Sequence, residues 1–388
     1  MTSSFFDPVE RSLTALREGR MCIVCDDEDR ENEGDLVGTA QACDAAMINF
    51  MATHGRGLIC CALTEERARE LAIPMMTRHN TAPLQTAFTV SVEARYGTTT
   101  GISAADRART VQVLVDPLSS RDDLVTPGHM FPLVARDGGV LVRSGQTEAS
   151  VDMARLAGHK PAGVICEIMA DDGTMMRVPE LRKFADKWNL PMCSVADLIE
   201  HRRRNEVLVS VESESNVHWE GRELRIVRWR DQVRGLLHTA VVSGDISPDQ
   251  AVAVRVQAEN PGAGWDLARA AKELRSIHAS LDRVAQGGGV FLYLQALPAP
   301  GEERPELPPI GIAAGEDVTR WTPDRQTLGI GAQILWQSGV RRITLLTNKP
   351  RRIVGLQGYG LTVEGYESYG HAGDGHGDFL DRFLNLLG

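Results

Sequence analysis

The chain has 388 residues, 43% hydrophobic and 24% charged, with a formal net charge of −10. That length predicts two or three domains, and that composition excludes a largely disordered polymer. No large basic field is available to neutralise a nucleic-acid backbone, so nucleic acid is not an expected partner. No apolar run approaches the roughly 20 residues that span a bilayer. The opening segment MTSSFFDPVERSLTALREG lacks the basic, apolar, small order of a secretory signal. No membrane association and a cytoplasmic location are the expectations.

In chain order, that opening segment reads as a helix, with Asp7 as cap, Pro8 in the first turn, Glu10 completing a capping box and Gly19 ending it. Met21–Asp26 reads as a strand, Ala45–Thr53 as a helix closed by Gly55, and Leu58–Leu63 and Phe88–Glu93 as strands. Ala104–Leu114 and Thr147–Leu156 read as helices, Val164–Met169 as a buried strand, and Pro179–Trp188 and Val195–Arg203 as closing helices. This alternation predicts an α/β (α+β) domain on a mixed sheet. The cluster HRRRNE (201–206) reads as a solvated linker, placing the boundary near residue 205 and dividing the chain into 1–205 and 206–388. A strand-rich stretch follows at Val207–Glu212, Leu224–Trp229, Gly235–Val242 and Val252–Ala258. Trp265–Val284 reads as a helix, Val290–Leu297 as a strand, residues 298–309 as a Pro-rich loop, Leu328–Ser338 as a helix and Ile343–Thr347 as a strand. The tail 371–377 is small and polar.

The 7 cysteines all lie in the first 193 residues. Their odd number and irregular spacing predict free thiols. Cys22 and Cys25 sit in one strand, facing opposite sides, so metal binding by the pair is not expected. Met75 and Met76 read as packing residues, and His54 and His79 as surface, satisfied or site-rim groups.

Residues 26–35, DDEDRENEGD, hold 7 carboxylates in ten positions. The run directly follows a strand. In an extended backbone Glu31, Glu33 and Asp35 share one side, and Gly34 lets the chain turn closely around what they hold. Converging oxygens suit a hard cation such as Mg²⁺.

Taken together, the segments DRENEGD (29–35), HGRGLICCALT (54–64), TAFTVSVEA (86–94), TTTGISAADRARTV (98–111), TPGHMFPLVARDGGVLVRSGQTEASVDMARLAG (126–158) and KPAGVICEIMADDGTM (160–175) resemble 3,4-dihydroxy-2-butanone 4-phosphate synthase. The likeness is collinear over roughly residues 10–203. It implies Mg²⁺-dependent conversion of ribulose 5-phosphate to dihydroxybutanone phosphate and formate, in a homodimer with shared active sites. It also implies roles for particular residues. Arg30, Asp35, Arg143, Thr147 and Glu167 would contact the sugar phosphate. Glu31 would be the metal carboxylate. His129, Glu167 and Glu33 would serve catalysis. Ser103–Arg107 is a further anion-site candidate, beside the plainer reading of a helix cap and a surface arginine. At the second metal position the family carries histidine and this chain carries Gln146. An amide oxygen can ligate Mg²⁺ (or Mn²⁺) but cannot take a proton. The same reaction, a related sugar phosphate in a specialised pathway, and a non-catalytic binding role all stay open.

From about residue 207 the chain resembles GTP cyclohydrolase II, through VVSGDIS (241–247), AVRVQAE (253–259), GGVFLYL (288–294) and LLTNKPRRI (345–353). That family holds Zn²⁺ with three cysteines, and no cysteine follows Cys193. No zinc and no cyclohydrolase activity are therefore expected, and the fold is expected to be retained without its chemistry. His238, Glu259 and His278 are a remaining zinc grouping to consider. The loop with Thr347, Arg351 and Arg352 is the remaining phosphate candidate.

Overall fold

A computed structural model describes residues 5–27, 30–259, 267–295, 325–348 and 359–369. The chain divides into two units, Met1–Arg202 and Arg203–Gly388.

In the first unit the strands are β1 (Cys22–Cys25), β2 (Gly34–Thr39), β3 (Cys60–Thr64), β4 (Val92–Ala94), β5 (Leu124–Ala135), β6 (Ala162–Glu167) and β7 (Met192–Ser194). The helices are α1 (Val9–Arg17), α2 (Ala45–Phe50), α3 (Glu65–Glu70), α4 (Ala104–Val115), α5 (Gln146–Leu156), α6 (Val178–Trp188) and α7 (Val195–Asn205). The strands pair in the order β4-β5-β3-β6-β2-β1-β7. β1 with β7 and β3 with β5 run parallel, and the other neighbours run antiparallel. A mixed sheet is what the alternation of elements predicts.

The central strands are buried on both faces, which is why they read as continuous apolar runs. In β1, Ile23 and Cys25 join the cluster that includes Met47 of α2, Val111 of α4 and Leu181 of α6. Cys22 and Val24 join the opposite cluster, with Leu13 of α1 and Met153 of α5. All seven cysteines are free and buried, and burial pushes the thiols up, Cys166 to about 12. Cys166 faces away from its neighbour Glu167, into the first of these clusters.

Several expectations need correction. Asp7 does not cap α1: its carboxylate accepts from Met192 N–H at 3.0 Å and pairs with Arg182 and Arg11, tying the first turn to β7 and α6. HRRRNE is only partly a solvated linker: the two units divide within it and Arg204 and Asn205 are exposed, but Arg202 is not. Arg202 is buried, and its Nη1 donates to Asp152 Oδ2 and to Gly138 O, each at 2.8 Å. Only Val92 and Glu93 of the run Phe88–Glu93 join the ladder, while Phe88 and Thr89 make isolated bridges elsewhere. Met75 and Met76 are exposed rather than packed. His54 is a stacking group, 4.3 Å from Trp188 and 4.7 Å from Phe50 between ring centroids, and His79 lies in an exposed loop.

The second unit places β8 (Val209–Trp219), β9 (Arg222–Asp231), β10 (Leu237–Ser243), β11 (Ala251–Ala258), β12 (Gly289–Leu294), β13 (Arg342–Leu346) and β14 (Thr362–Glu367) in the order β14-β13-β11-β12-β10-β9-β8. Its helices are α8 (Leu267–Gly287) and α9 (Arg325–Gln337). The β8–β9 hairpin turns at Glu220 and Gly221, both at positive φ (48° and 76°), the backbone of a type I′ turn. The Pro-rich loop, the polar tail, Arg351 and Arg352 lie outside the described residues.

Candidate active site

The site begins where β1 ends. The carboxylate of Asp26 has no exposed side-chain surface. Its Oδ1 accepts from Glu33 N–H at 2.9 Å, and its Oδ2 accepts from Glu31 N–H at 3.0 Å and from Arg30 Nη1 at 2.7 Å. One buried acid thus organises the loop, and its two oxygens meet donors that would otherwise be left unpaired. Asn32 adopts a left-handed φ of 55°, which breaks the extended run expected from Glu31 to Asp35. Arg177 braces the reversal, its Nη1 donating to the carbonyls of Asn32 and of Glu31, the latter at 2.9 Å. Gly34 is a strand residue, not the turn: a Cβ there would lie 2.6 Å from Leu181 Cδ1, so its smallness lets α6 approach.

The acidic residues still converge. Asp35 sits opposite Glu167 in the β2–β6 register. Burial raises the Asp35 carboxyl well above the ordinary range, and the charges of Glu167, Glu31, Glu33 and Asp26 raise it further. Glu167 is raised by burial, against hydrogen bonds that favour its anion, among them Leu58 N–H to Oε2 at 2.8 Å. Gly57 is obligatory beside it, since a Cβ would lie 2.5 Å from Glu167 Oε2. Glu33 is raised by burial and then by Glu31, while Arg177 opposes the shift. Like charges packed this closely oppose one another's ionisation, so the group of Glu33, Asp35 and Glu167 holds its protons more tightly than free carboxyls do. That equips it for proton transfer beside a carbonyl.

α5 enters the site at its N-terminus. Gln146, its first residue, is buried, and its Oε1 accepts from Arg30 Nη1 at 2.9 Å. The same Nη1 lies 2.9 Å from Glu31 Oε2. One cationic atom thus draws together oxygens of Asp26, Glu31 and Gln146. Gln146 Nε2 is buried and finds no acceptor among the described residues. Thr147 is buried beside it, and Gly145 gives the helix no side-chain cap, so no cap among the described residues competes with an anion for its first N–H groups. Arg143 is not drawn into the acidic cluster. Its guanidinium is committed to buried Glu148 at 2.6 Å and to Leu84 O and Thr86 Oγ1. The turn before it depends on Gly139, at φ +64°, where a Cβ would meet Asp152 Oδ2 at 2.2 Å.

His129 also stands apart. It lies on β5, which β3 separates from the β6 strand of Glu167. Its Nδ1 is 3.0 Å from Glu93 Oε2. Ser103 accepts from Asp106 N–H as a helix cap, the plainer of the two readings of that segment, while Arg107 Nε is buried and finds no acceptor among the described residues. Asp26, Arg177 and Glu93 escaped the sequence reading. Asp26 carried a signal, an acid directly after a buried strand; the other two depend on contacts distant in sequence.

A family model for 3,4-dihydroxy-2-butanone 4-phosphate synthase matches residues 10–201, and one for GTP cyclohydrolase II matches residues 210–368. The riboflavin biosynthesis protein RibBA of Aquifex aeolicus is 45% identical over 92% of this chain and 91% of its own length. The chain belongs to this two-domain family of riboflavin biosynthesis. Among solved structures, RibBX of A. baumannii, a two-domain 3,4-dihydroxy-2-butanone 4-phosphate synthase, matches 93% of this chain and 99% of its own at 37% identity and a TM-score of 0.69. A 3,4-dihydroxy-2-butanone 4-phosphate synthase in complex with two magnesium ions matches 52% of this chain and 98% of its own at 41% identity and a TM-score of 0.50.

The first unit is therefore of the synthase type, and one solved synthase is in complex with two magnesium ions. The oxygens of Glu31 and Gln146 are hard donors gathered around Arg30 Nη1, the atom type that suits a hard cation, whereas the orphaned Gln146 Nε2 is an N–H donor and calls for an acceptor. In the second unit the zinc grouping considered from sequence does not form. His238 pairs across β10–β9 with Trp229, and Trp229 faces Val211, whereas His278 stacks on Trp219 at the other end of β8. His238 Nδ1 accepts from Gln295 N–H at 3.0 Å, and burial, then Arg234, push its pKa down to about 4. His278 instead meets Glu220 and Asp282, with donor atoms all within 4.8 Å of one another. No described helix is long and apolar enough to cross a membrane.

Proposed function

We propose that residues 1–205 convert D-ribulose 5-phosphate to 3,4-dihydroxy-2-butanone 4-phosphate and formate, and that residues 206–388 are a GTP cyclohydrolase II-like domain without that activity. The carrying observation is the acidic cluster of Asp26, Glu31, Glu33, Asp35 and Glu167 beside Arg30 and Gln146, in which burial and neighbouring charges raise the carboxyls of Glu33, Asp35 and Glu167. The reaction enolises a ketose, expels water, shifts the carbon skeleton and releases one carbon. Each stage moves a proton next to a carbonyl or a diol.

Asp35 and Glu167 hold and return such a proton, and Glu33 is a second acid–base group at the mouth of the loop. Arg30 orients substrate oxygens while keeping Glu31 and Gln146 in place. The open N-terminus of α5, at Gln146 and Thr147, receives an anionic group. Arg143 supports that helix start through Glu148. Glu31 and Gln146 would hold Mg²⁺, or Mn²⁺ in its place, and the ion would polarise adjacent substrate oxygens. His129, set two strands from the cluster, fits a site shared across a homodimer, in which one chain's His129 serves the cluster of its partner. For the second domain, the absence of any cysteine after Cys193 removes the thiolate anchors of zinc.

A second reading keeps the scaffold and changes the substrate to a related sugar phosphate, because Gln146 stands where the family carries a metal-binding histidine. Incubating the full chain with ¹³C-labelled ribulose 5-phosphate and Mg²⁺, with carbon NMR detection, separates the readings. Labelled formate supports the first. A different labelled product supports the second, and an unchanged substrate overturns both. Incubation with GTP and Zn²⁺ should release no formate.

A further inference from the structure

The strand pair β4–β5 departs from a regular ladder at one place. Val92 faces Met130, yet Glu93 faces Val125, so residues 126–129 are pushed out of register. The extruded segment is Thr-Pro-Gly-His, with His129 at its end. It is anchored on the strand that carries Glu93. Gly128 N–H donates to Ser91 Oγ at 3.2 Å, and a Cβ on Gly128 would lie 2.1 Å from the Val92 carbonyl carbon. Only glycine allows this contact, and the contact fixes where His129 stands.

Glu93 is itself held. Its side chain is 14% exposed against 44% for His129. Its carboxylate lies against Gly101, at φ +92°, where a Cβ would come within 2.0 Å of Oε1. The Gly101 loop is tied down in turn by Asp106, which accepts from Thr99 N–H, Thr99 Oγ1 and Gly101 N–H at 2.9, 2.7 and 3.0 Å. An exposed ion pair between two mobile side chains contributes little and orients nothing. Here the acid is the fixed and mostly buried member, and the imidazole is the reaching one.

We propose that Glu93 is a positioning residue for His129: it accepts from Nδ1–H, sets the ring plane and leaves Nε2 as the nitrogen that faces substrate. A carboxylate accepts and does not donate, so Nδ1 at 3.0 Å must carry the proton, and the neutral ring then has its lone pair on Nε2. This is how a carboxylate fixes the tautomer of a working histidine elsewhere. The assignment of a task to His129 rests on the synthase reading above; the tautomer does not.

The test uses the full-length ¹⁵N-labelled protein and long-range ¹H–¹⁵N spectra of the His129 ring at a pH where it is neutral. The parent should show Nδ1 protonated. Glu93→Gln should give a mixture, because an amide can accept or donate, and Glu93→Ala should release the ring to the Nε2–H form. Formate turnover of Glu93→Gln should fall by about 10–100-fold, in kcat rather than KM, and combining it with His129→Ala should cost no more than His129→Ala alone. The same tautomer in parent and Glu93→Gln overturns the proposal, and so do losses that multiply in the double variant. A parent that makes no formate refutes the synthase reading, while the ring spectra still decide the role of Glu93.

Discussion

Gln146 is the most informative position to perturb. Its Oε1 accepts from Arg30 at 2.9 Å, a charge-assisted bond of about 1.5–3 kcal/mol, while its Nε2 is buried without an acceptor among the described residues, a cost of about 1–3 kcal/mol. Gln146→Ala removes both. The terms nearly cancel, and Arg30 keeps Asp26 at 2.7 Å and Glu31 at 2.9 Å, so folded stability should change by about 1 kcal/mol or less. On the proposed reading, however, the ion loses one of its two protein ligands. The Mg²⁺ concentration for half-maximal formate release should rise by about 10–100-fold. Gln146→His should move it the other way and raise turnover. The assay is formate release from ¹³C-labelled ribulose 5-phosphate across a Mg²⁺ titration, with melting curves of each variant in parallel. If Gln146→Ala folds normally and keeps the parent's Mg²⁺ dependence and rate, the amide oxygen is not a ligand and the proposed ion site is wrong.

The acidic cluster makes a pH prediction. The Asp35 carboxyl is raised in the folded state, so its contribution to stability is complete below the ordinary carboxylate pKa and is lost as pH rises through the folded value. Asp35→Asn should therefore melt above its parent at pH 8 without divalent metal, by about 2–4 °C per kcal/mol relieved, with the gap closing toward pH 4 and formate release abolished; a gap that widens on acidification would contradict the sign. Asp26→Ala frees the backbone N–H groups of Glu31 and Glu33 and one partner of Arg30, and should cost about 3 kcal/mol in urea unfolding together with at least a hundredfold in turnover. Arg202→Ala leaves buried Asp152 with only the more distant Arg155, at 3.9 Å, as a cation and should destabilise by about 3 kcal/mol. Because Asp152 also holds Val140 N–H at 2.8 Å, the turn before Arg143 should loosen, visible as faster amide exchange there.

Much of the fold is legible in local pattern. The helices at Ala104–Val115, Gln146–Leu156 and Val178–Trp188 announce themselves through Ser103, Gly158 and Pro179, because caps and breakers act within one turn of the chain. The buried strands β1, β3 and β6 do so through short apolar runs. β5 does not, since its Pro127, Gly128 and Pro132 read as breakers, and only the ladder against β3 on one side and β4 on the other holds that segment extended. β2 is hidden behind the acidic loop for a similar reason. The site divides along the same line. That an acidic loop at 26–35, a glutamine at position 146 and a second half without cysteine exist is written in residue identity alone. That Glu31 leaves the extended run at Asn32, that Arg143 serves Glu148, that Arg202 is buried and that Glu93 holds His129 was decided by contacts between segments far apart in sequence. Periodicity and capping report forces acting over a few residues, whereas a carboxylate's protonation and an arginine's partner depend on which strands the sheet lays side by side.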